Sequence, residues 1–380
     1  MRPVYVVADH IISPLGADAT ENFDHIKSGK SSVQQHAAGA RSDKAFYASL
    51  FPESFWSDRP KGGLTNFEWL LTRSITEAMS EAGIPKPDTK TGLILSSTKG
   101  NIGLLEQHEI SKELKDNISL TSSAEKIRAQ LGFFSPPVII SHACISGLVA
   151  LITAKRMIEA GLLDTIVVAG ADLITRFILS GFQSFQAVSD ERCRPFDAAR
   201  KGINLGEAAA TIILSCHKPT GEISVRLAGG AVSNDANHIS GPSRTGKELY
   251  GAIKNAMKEA GISAADIDFA SLHGTATVYN DDMESKAIHL AGLQSVPVNS
   301  LKAYFGHTLG AAGLIESILS IHSLKEDIIL PTMGFQTPGT AENITVCSTL
   351  QRSPLQVCLK TASGFGGCNA AVLFRKEKPD

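Results

Sequence analysis

Apolar residues recur at helical spacing in two stretches of the chain. Phe67, Leu71, Ile75 and Met79 form one stripe; Leu249, Ile253 and Met257 form the other. The helices they predict end in nearly the same text: Ala78-Met79-Ser80-Glu81-Ala82-Gly83-Ile84 and Ala256-Met257-Lys258-Glu259-Ala260-Gly261-Ile262. In each, a glycine just past the last apolar turn supplies a helix stop. A strand-like run follows, over 91–97 and 268–273. A second parallel lies further on. A small-residue helix over 146–160 leads to the apolar run 164–168, and another over 310–324 leads to 327–330. One such match is within the reach of chance; two predict an internal duplication.

Further short apolar runs at 4–7, 138–141, 165–170, 208–214, 224–229, 356–361 and 370–374 read as strands. Some lack polar alternation, as strands covered by helices on both faces do. The chain thus alternates strand and helix in two halves. A breakpoint near 217–221 divides it into residues 1–218 and 219–380. The polar stretch 34–61, rich in Ala and Ser, reads as surface loop. No long linker or low-complexity tract appears, so the halves are expected to pack as one unit.

Composition narrows the function classes. The chain has 380 residues, 43% hydrophobic and 19% charged, with net charge −2. That is material for one large core or two fused ones. Near-neutral charge argues against general nucleic-acid binding. No apolar stretch approaches the ~20 residues that span a bilayer. The N-terminus lacks the basic and long apolar regions of a signal peptide, so a cytoplasmic protein with reduced thiols is expected. Cys144, Cys193, Cys216, Cys347, Cys358 and Cys368 contain no C-x-x-C pair, which argues against a zinc site or redox dithiol.

Three side chains stand out for chemistry. Cys144 follows the apolar run 138–141 and opens a helix among small neighbours, Ala143, Ser146 and Gly147. A helix N-terminus presents free N–H groups and partial positive charge, which favours a thiolate; a buried structural cysteine is the alternative. His273 ends a strand and precedes Gly274-Thr275-Ala276-Thr277, whose hydroxyls suit a polar ligand. His307 stands between Gly306 and a Gly/Ala-rich helix start. Lys302 precedes it and Glu316 follows on the next helix. Either histidine alone reads equally as a satisfied structural residue. The glycines of Ser363-Gly364-Phe365-Gly366-Gly367-Cys368-Asn369 permit backbone N–H groups to point inward, as an oxyanion hole requires.

Taken together, His142-Ala143-Cys144-Ile145-Ser146-Gly147, His273-Gly274-Thr275-Ala276-Thr277, the segment 302–313 and Gly364-Phe365-Gly366-Gly367 resemble the elongating β-ketoacyl-[acyl-carrier-protein] synthases of the thiolase-like superfamily. Arg194-Pro195-Phe196-Asp197 with Gly206-Glu207, and Ser13-Pro14-Leu15-Gly16, resemble the same family, and the blocks run in its order over nearly the whole chain. The resemblance implies an α/β thiolase-like fold: two duplicated βαβαβαββ halves in a five-layered αβαβα core. It implies an acyltransferase, with the nucleophilic cysteine in the first half and two catalytic histidines in the second. Cys144 takes an acyl group from a carrier-protein thioester; His273 and His307 bind the malonyl carbonyl as carbon dioxide leaves; the carbanion attacks acyl-Cys144. Lys302 and Glu316 support the histidines, and the N–H groups of Cys144 and Phe365 form the oxyanion hole, with Phe365 as gate. Thr275 and Thr277 bind the phosphopantetheine arm, and Arg200, Lys201 and Arg194 are candidates for docking the acidic carrier protein. No metal or redox cofactor is implied. The family is usually homodimeric, and a heterodimer with a related synthase subunit is a variant of that arrangement.

Four positions depart from the family pattern. Ile145 stands where a small hydroxyl residue is usual, His142 where Thr or another small residue is common, and Cys368 where Thr is usual. Lys99 falls near a position that commonly lines the acyl pocket with an apolar residue, and an unpaired buried ammonium is costly; exposure is the expectation. Together with a shorter 101–134 segment, these point toward a specialised polyketide or aryl-polyene synthase rather than housekeeping fatty-acid elongation. Two alternatives remain: a non-catalytic chain-length partner, which typically lacks the cysteine kept here, and a thiolase-type or ketoacyl-synthase-III-like enzyme.

Overall fold

The computed structural model describes residues 2–60, 62–106, 109–220, 223–235 and 241–377. Strands form where the chain is most continuously apolar, and helices fill the amphipathic intervals. The first half runs β1 (Tyr5–Ile12), α1 (Asn66–Glu81), β2 (Thr91–Ser96), α2 (Leu120–Leu131), β3 (Val138–Ile140), α3 (Ser146–Glu159), β4 (Thr165–Asp172), α4 (Arg176–Ser184) and β5 (Ala208–Ser215). The second runs β6 (Ser224–Asn234), α5 (Lys247–Ala260), β7 (Phe269–Ser271), α6 (Val278–Leu290), β8 (Pro297–Asn299), α7 (Ala312–Glu326), β9 (Val357–Gly364) and β10 (Cys368–Glu377).

The duplication is written in the strand order. The first half pairs as β3-β2-β4-β5-β1, and the second repeats it as β8-β7-β9-β10-β6. Directions match strand for strand: β2 is parallel to β3 and β4, as β7 is to β8 and β9, while β5 and β10 run antiparallel to their neighbours. The halves meet where β1 pairs with β6, at Tyr5–Arg226 and Val6–Val225. Helix α1 packs on the outer face of the first half and α5 on the outer face of the second. Between the halves lie α3 and α7, packed on each other and on strands of both. This is the five-layered αβαβα arrangement.

The helix stops behave as the sequence predicts. Gly83 and Gly261, just past α1 and α5, have φ +66° and +67°, the left-handed turn that glycine tolerates best. A capping box, Thr65 with Glu68, opens α1. The middle layer depends on a reciprocal close approach. A Cβ on Gly147 would stand 2.9 Å from Leu314 N, and one on Gly313 would stand 2.9 Å from Leu148 N.

Two expectations are corrected. The stretch 34–61 is not all loop: Gln34–His36 and Phe46–Ser49 form strands, and Ala48–Ser49 pairs with Leu205–Gly206. Phe46, Ala48, Leu50 and Phe51 are buried, so scattered apolar residues outweigh the polar composition there. The run 327–330 is not the second-half counterpart of β4. Ile328–Ile329 pairs antiparallel with Gln351–Arg352 in a separate two-stranded ribbon, and β9 takes the place beside β7. Lys61 and Gly221, at the ends of two predicted boundaries, lie outside the described residues.

Candidate functional site

Each candidate side chain sits at a junction the fold dictates. Cys144 lies in the turn from β3 to α3, His273 two residues beyond β7, and His307 in the turn that leads from β8 to α7. Their three segments each hold a non-glycine residue in left-handed backbone: Ala143 (φ +45°), Ala276 (φ +60°) and Leu309 (φ +52°). Such residues cost ~1–3 kcal/mol each and persist where the surroundings hold them.

The fold brings the three together. One donor atom from each of Cys144, His273 and His307 lies within 4.8 Å of the others. The imidazoles meet edge to face, centroids 5.1 Å apart. All three are buried and line a cavity of about 490 Å³. Thr275 and Thr277 line it, their hydroxyls 2.8 Å apart, as do Phe365 and the exposed Val278 and Tyr279. A separate cavity of about 640 Å³ beside Trp56 and Asn101 contains none of these residues.

Charge around the rings sets their chemistry. Burial first, and the Lys302 ammonium second, hold the His273 ring well below its ordinary pKa; the same two causes act on His307. Both rings are therefore neutral. Lys302 Nζ stands 3.4 Å from His273 Nδ1. An ammonium only donates, so Nδ1 accepts and the ring proton sits on Nε2. Neither ring nitrogen of His307 has a hydrogen-bond partner. Its backbone is fixed instead: His307 N–H donates to Asn204 O at 2.7 Å, and Gly206 N–H donates to His307 O at 3.0 Å.

The thiol corrects a sequence expectation. Burial pushes Cys144 up to about 12, with the neighbouring Cys368 adding to the rise; Lys302 and the Phe365 N–H act the other way. Helix α3 does begin beside it, but desolvation of the charged form outweighs it at this depth of burial. The resting group is a thiol. Three donors within 4.8 Å would suit a metal ion, but Lys302 and Lys360 place positive charge behind them, which opposes a cation.

Behind His273 lies a buried set of charges. Lys302 hydrogen-bonds Glu316 Oε1, and Lys360 Nζ stands 2.7 Å from Glu316 Oε2. Glu284 accepts from the N–H groups of His273 (2.8 Å) and Gly274 (2.6 Å), pinning the strand end. Across the site, Asp172 accepts from Ser97 Oγ at 2.7 Å and from Gly310 N–H at 2.7 Å. Sequence reasoning missed Lys360, Glu284 and Asp172. Their signal was there: a lone lysine in the apolar run of β9, and carboxylates on inward positions of α6 and β4.

The remaining candidates divide. Phe365 is half-buried and packs against Phe182 and Phe185, centroids 5.6 and 5.3 Å away. Arg200, predicted for a basic rim, is instead inside the wall. Its side chain is 5% exposed and donates to Asp282 at 2.8 Å and to Asp197 O at 3.0 Å. A guanidinium spent on these acceptors has little left for a docking protein. Lys201 is 57% exposed beside Asp190 and Glu191, and Arg194 pairs with Glu191 at 3.4 Å. His142 and Lys99 are exposed, whereas Ile145 and Cys368 are buried in the central core.

Two family models cover most of the chain: β-ketoacyl synthase, N-terminal domain, over residues 1–219, and β-ketoacyl synthase, C-terminal domain, over 225–336. A 3-oxoacyl-[acyl-carrier-protein] synthase 2 of Rhizobium meliloti (strain 1021) is 28% identical over 99% of both chains. Among solved structures, a type II polyketide ketosynthase in complex with its acyl-carrier protein superposes with TM-score 0.86, at 23% identity, over 98% of this chain and 99% of that one. A ketosynthase in complex with its chain length factor, from Xenorhabdus doucetiae, gives TM-score 0.83 at 23% identity, over 99% and 98%.

Proposed function

Since this chain belongs to the β-ketoacyl synthase family, we propose that it performs decarboxylative Claisen condensation between an acyl group on Cys144 and malonyl carrier protein. It is an enzyme of the acyltransferase class. The observation that carries the site assignment is the convergence of a buried thiol and two neutral imidazoles, one with both ring nitrogens unpartnered, on the lining of one cavity. Residues 1–218 supply the nucleophile and residues 219–380 the histidines.

In the first step the acyl thioester carbonyl sits against the N–H groups of Cys144 and Phe365. His307 takes the thiol proton as sulfur attacks and returns it to the departing pantetheine thiol. Thr275 and Thr277 hold the pantetheine arm, and Phe365 opens and closes the acyl path. In the second step the malonyl thioester carbonyl accepts from His273 Nε2–H and from the neutral His307 ring. Carbon dioxide leaves, and the resulting enolate attacks the acyl-Cys144 carbonyl. The tetrahedral oxyanion sits against the same two N–H groups before the Cys144 thiolate leaves and takes a proton from water. Each such donor contributes ~3–4 kcal/mol in comparable sites. The reaction needs no metal or redox cofactor; the substrates arrive on phosphopantetheine.

Acyl carrier protein is the partner, with the exposed Lys201 on the cavity lining and the half-buried Arg194 as candidate basic groups. A homodimer, or a heterodimer with a related subunit, is the assembly, in the cytoplasm. Among the described residues no helix is long and apolar enough to cross a membrane. The non-catalytic alternative is disfavoured because Cys144, His273, His307 and Lys302 are all in place.

Intact-mass spectrometry with a panel of acyl carrier proteins tests the assignment. An acyl adduct is expected on the wild type and none on Cys144→Ala. Malonyl carrier protein decarboxylation is expected to fall ~10²-fold or more in His273→Ala and His307→Ala. No adduct with any donor, together with unchanged decarboxylation in the two histidine variants, would sink the reading.

A further inference from the structure

Lys360 is a second wholly buried lysine beside the site, and the condensation described above gives it no task. It lies on β9, paired in register with Ser271 of β7, the strand that leads into His273. Its Nζ reaches Ser271 O and Leu272 O at 3.2 Å, Thr361 O at 2.7 Å and Glu316 Oε2 at 2.7 Å. The three carbonyls accept hydrogen bonds, and Glu316 is an ion-pair partner. A neutral amine has two N–H groups and an ammonium three, so the contacts call for the charged form.

Behind the histidines, charge balances only with Lys360 counted. Two carboxylates, Glu316 on α7 and Glu284 on α6, stand behind the histidines, and the ammoniums facing them are Lys302 and Lys360. Without Lys360 the set carries a net negative charge behind the position where the enolate forms. Glu316 would also lose the cation that holds its second oxygen, and Lys302 takes its place from Glu316.

We propose that Lys360 is a positioning residue for the condensation, acting through Glu316 and Lys302 on His273 and cancelling the negative charge that would otherwise oppose the enolate. This rests on the ketosynthase reading of the site. Lys360 touches neither substrate nor the reacting atoms; its effect is carried by the line Lys360–Glu316–Lys302–His273.

The test compares wild type with Lys360→Met, which keeps the stem and removes the charge, and Lys360→Gln, which keeps a donor for the three carbonyls. For malonyl decarboxylation, kcat is expected to fall about tenfold with KM nearly unchanged. The acidic limb of its pH profile is expected to move up by about one unit, because removing a cation eases protonation of rings that face Lys302, Lys360 and each other. Alkylation of Cys144 by iodoacetamide slows as the neighbouring imidazoles protonate and reads the same limb with no acyl or malonyl substrate. A purely structural lysine would lower thermal stability and leave both limbs in place. Unmoved limbs with kcat within twofold in the folded variant overturn the proposal. A moved alkylation limb in the Lys360 variants, with a wild type that never decarboxylates malonyl carrier protein, overturns the ketosynthase reading and leaves the action of Lys360 on the histidines standing.

Discussion

His273 and His307 are neutral because burial and two lysines make their protonation costly, and that cost falls on the folded state alone. In the unfolded chain a histidine titrates near 6.5. Below that pH the unfolded state binds protons that the folded state refuses, so stability falls as pH drops from about 6.5 toward the depressed folded values. Buried His10 contributes in the same direction. Urea unfolding at pH 7 and at pH 5.5 should show this loss, with a smaller loss in a His273→Asn/His307→Asn double variant; equal losses would remove these rings as the cause. Cys144, His273 and His307 were legible in the sequence because each is a reactive side chain among small residues. The thiol's protonation state was not, since a helix start can be read from text but the depth of its burial cannot. Lys360, Glu284 and Asp172 escaped for a related reason: their work is to satisfy groups that only the folded chain brings within reach.

Helices α3 and α7 place Cys144 and His307, and their closeness is set by two glycines with no room for a methyl group. In Gly147→Ala the new Cβ would meet the backbone nitrogen of Leu314, which has no side-chain freedom to yield. Overpacking of this kind costs ~1–3 kcal/mol, and a contact to backbone belongs at the upper end. Thermal melting should show a clear fall in Tm, and acylation of Cys144 should weaken with it as the two helix starts part. A variant as stable and as readily acylated as wild type would contradict this account of the middle layer. The amphipathic helices and continuous apolar strands were plain from periodicity. The ribbon at Ile328–Ile329 was not, because a short apolar run does not say which strand it will pair with. The strands within 34–61 were hidden by the polar residues between Phe46, Ala48 and Leu50.

The molecule as a whole repeats one strand order twice and shares a single layer of helices between the copies. Neither half can bury its inner face alone: α7 of the second half packs against β5 and β1 of the first, and α3 of the first against β6 and β10 of the second. The full chain should therefore unfold in one transition, and residues 1–218 expressed alone should lack protected structure by hydrogen exchange. A stably folded first half would refute the shared core. The repeat also has a consequence for the Asp172 contact. Gly147 and Gly313 occupy matching places in α3 and α7, and three residues before them stand Cys144 and Gly310. Cys144 N lies against Gly364 at the end of β9; Gly310 N donates to Asp172 at the end of β4. The duplicated scaffold thus presents a backbone N–H at the same place in each half. If Cys144 N serves the acyl oxyanion as proposed, its counterpart at Gly310 N is held by the protein's own Asp172 carboxylate.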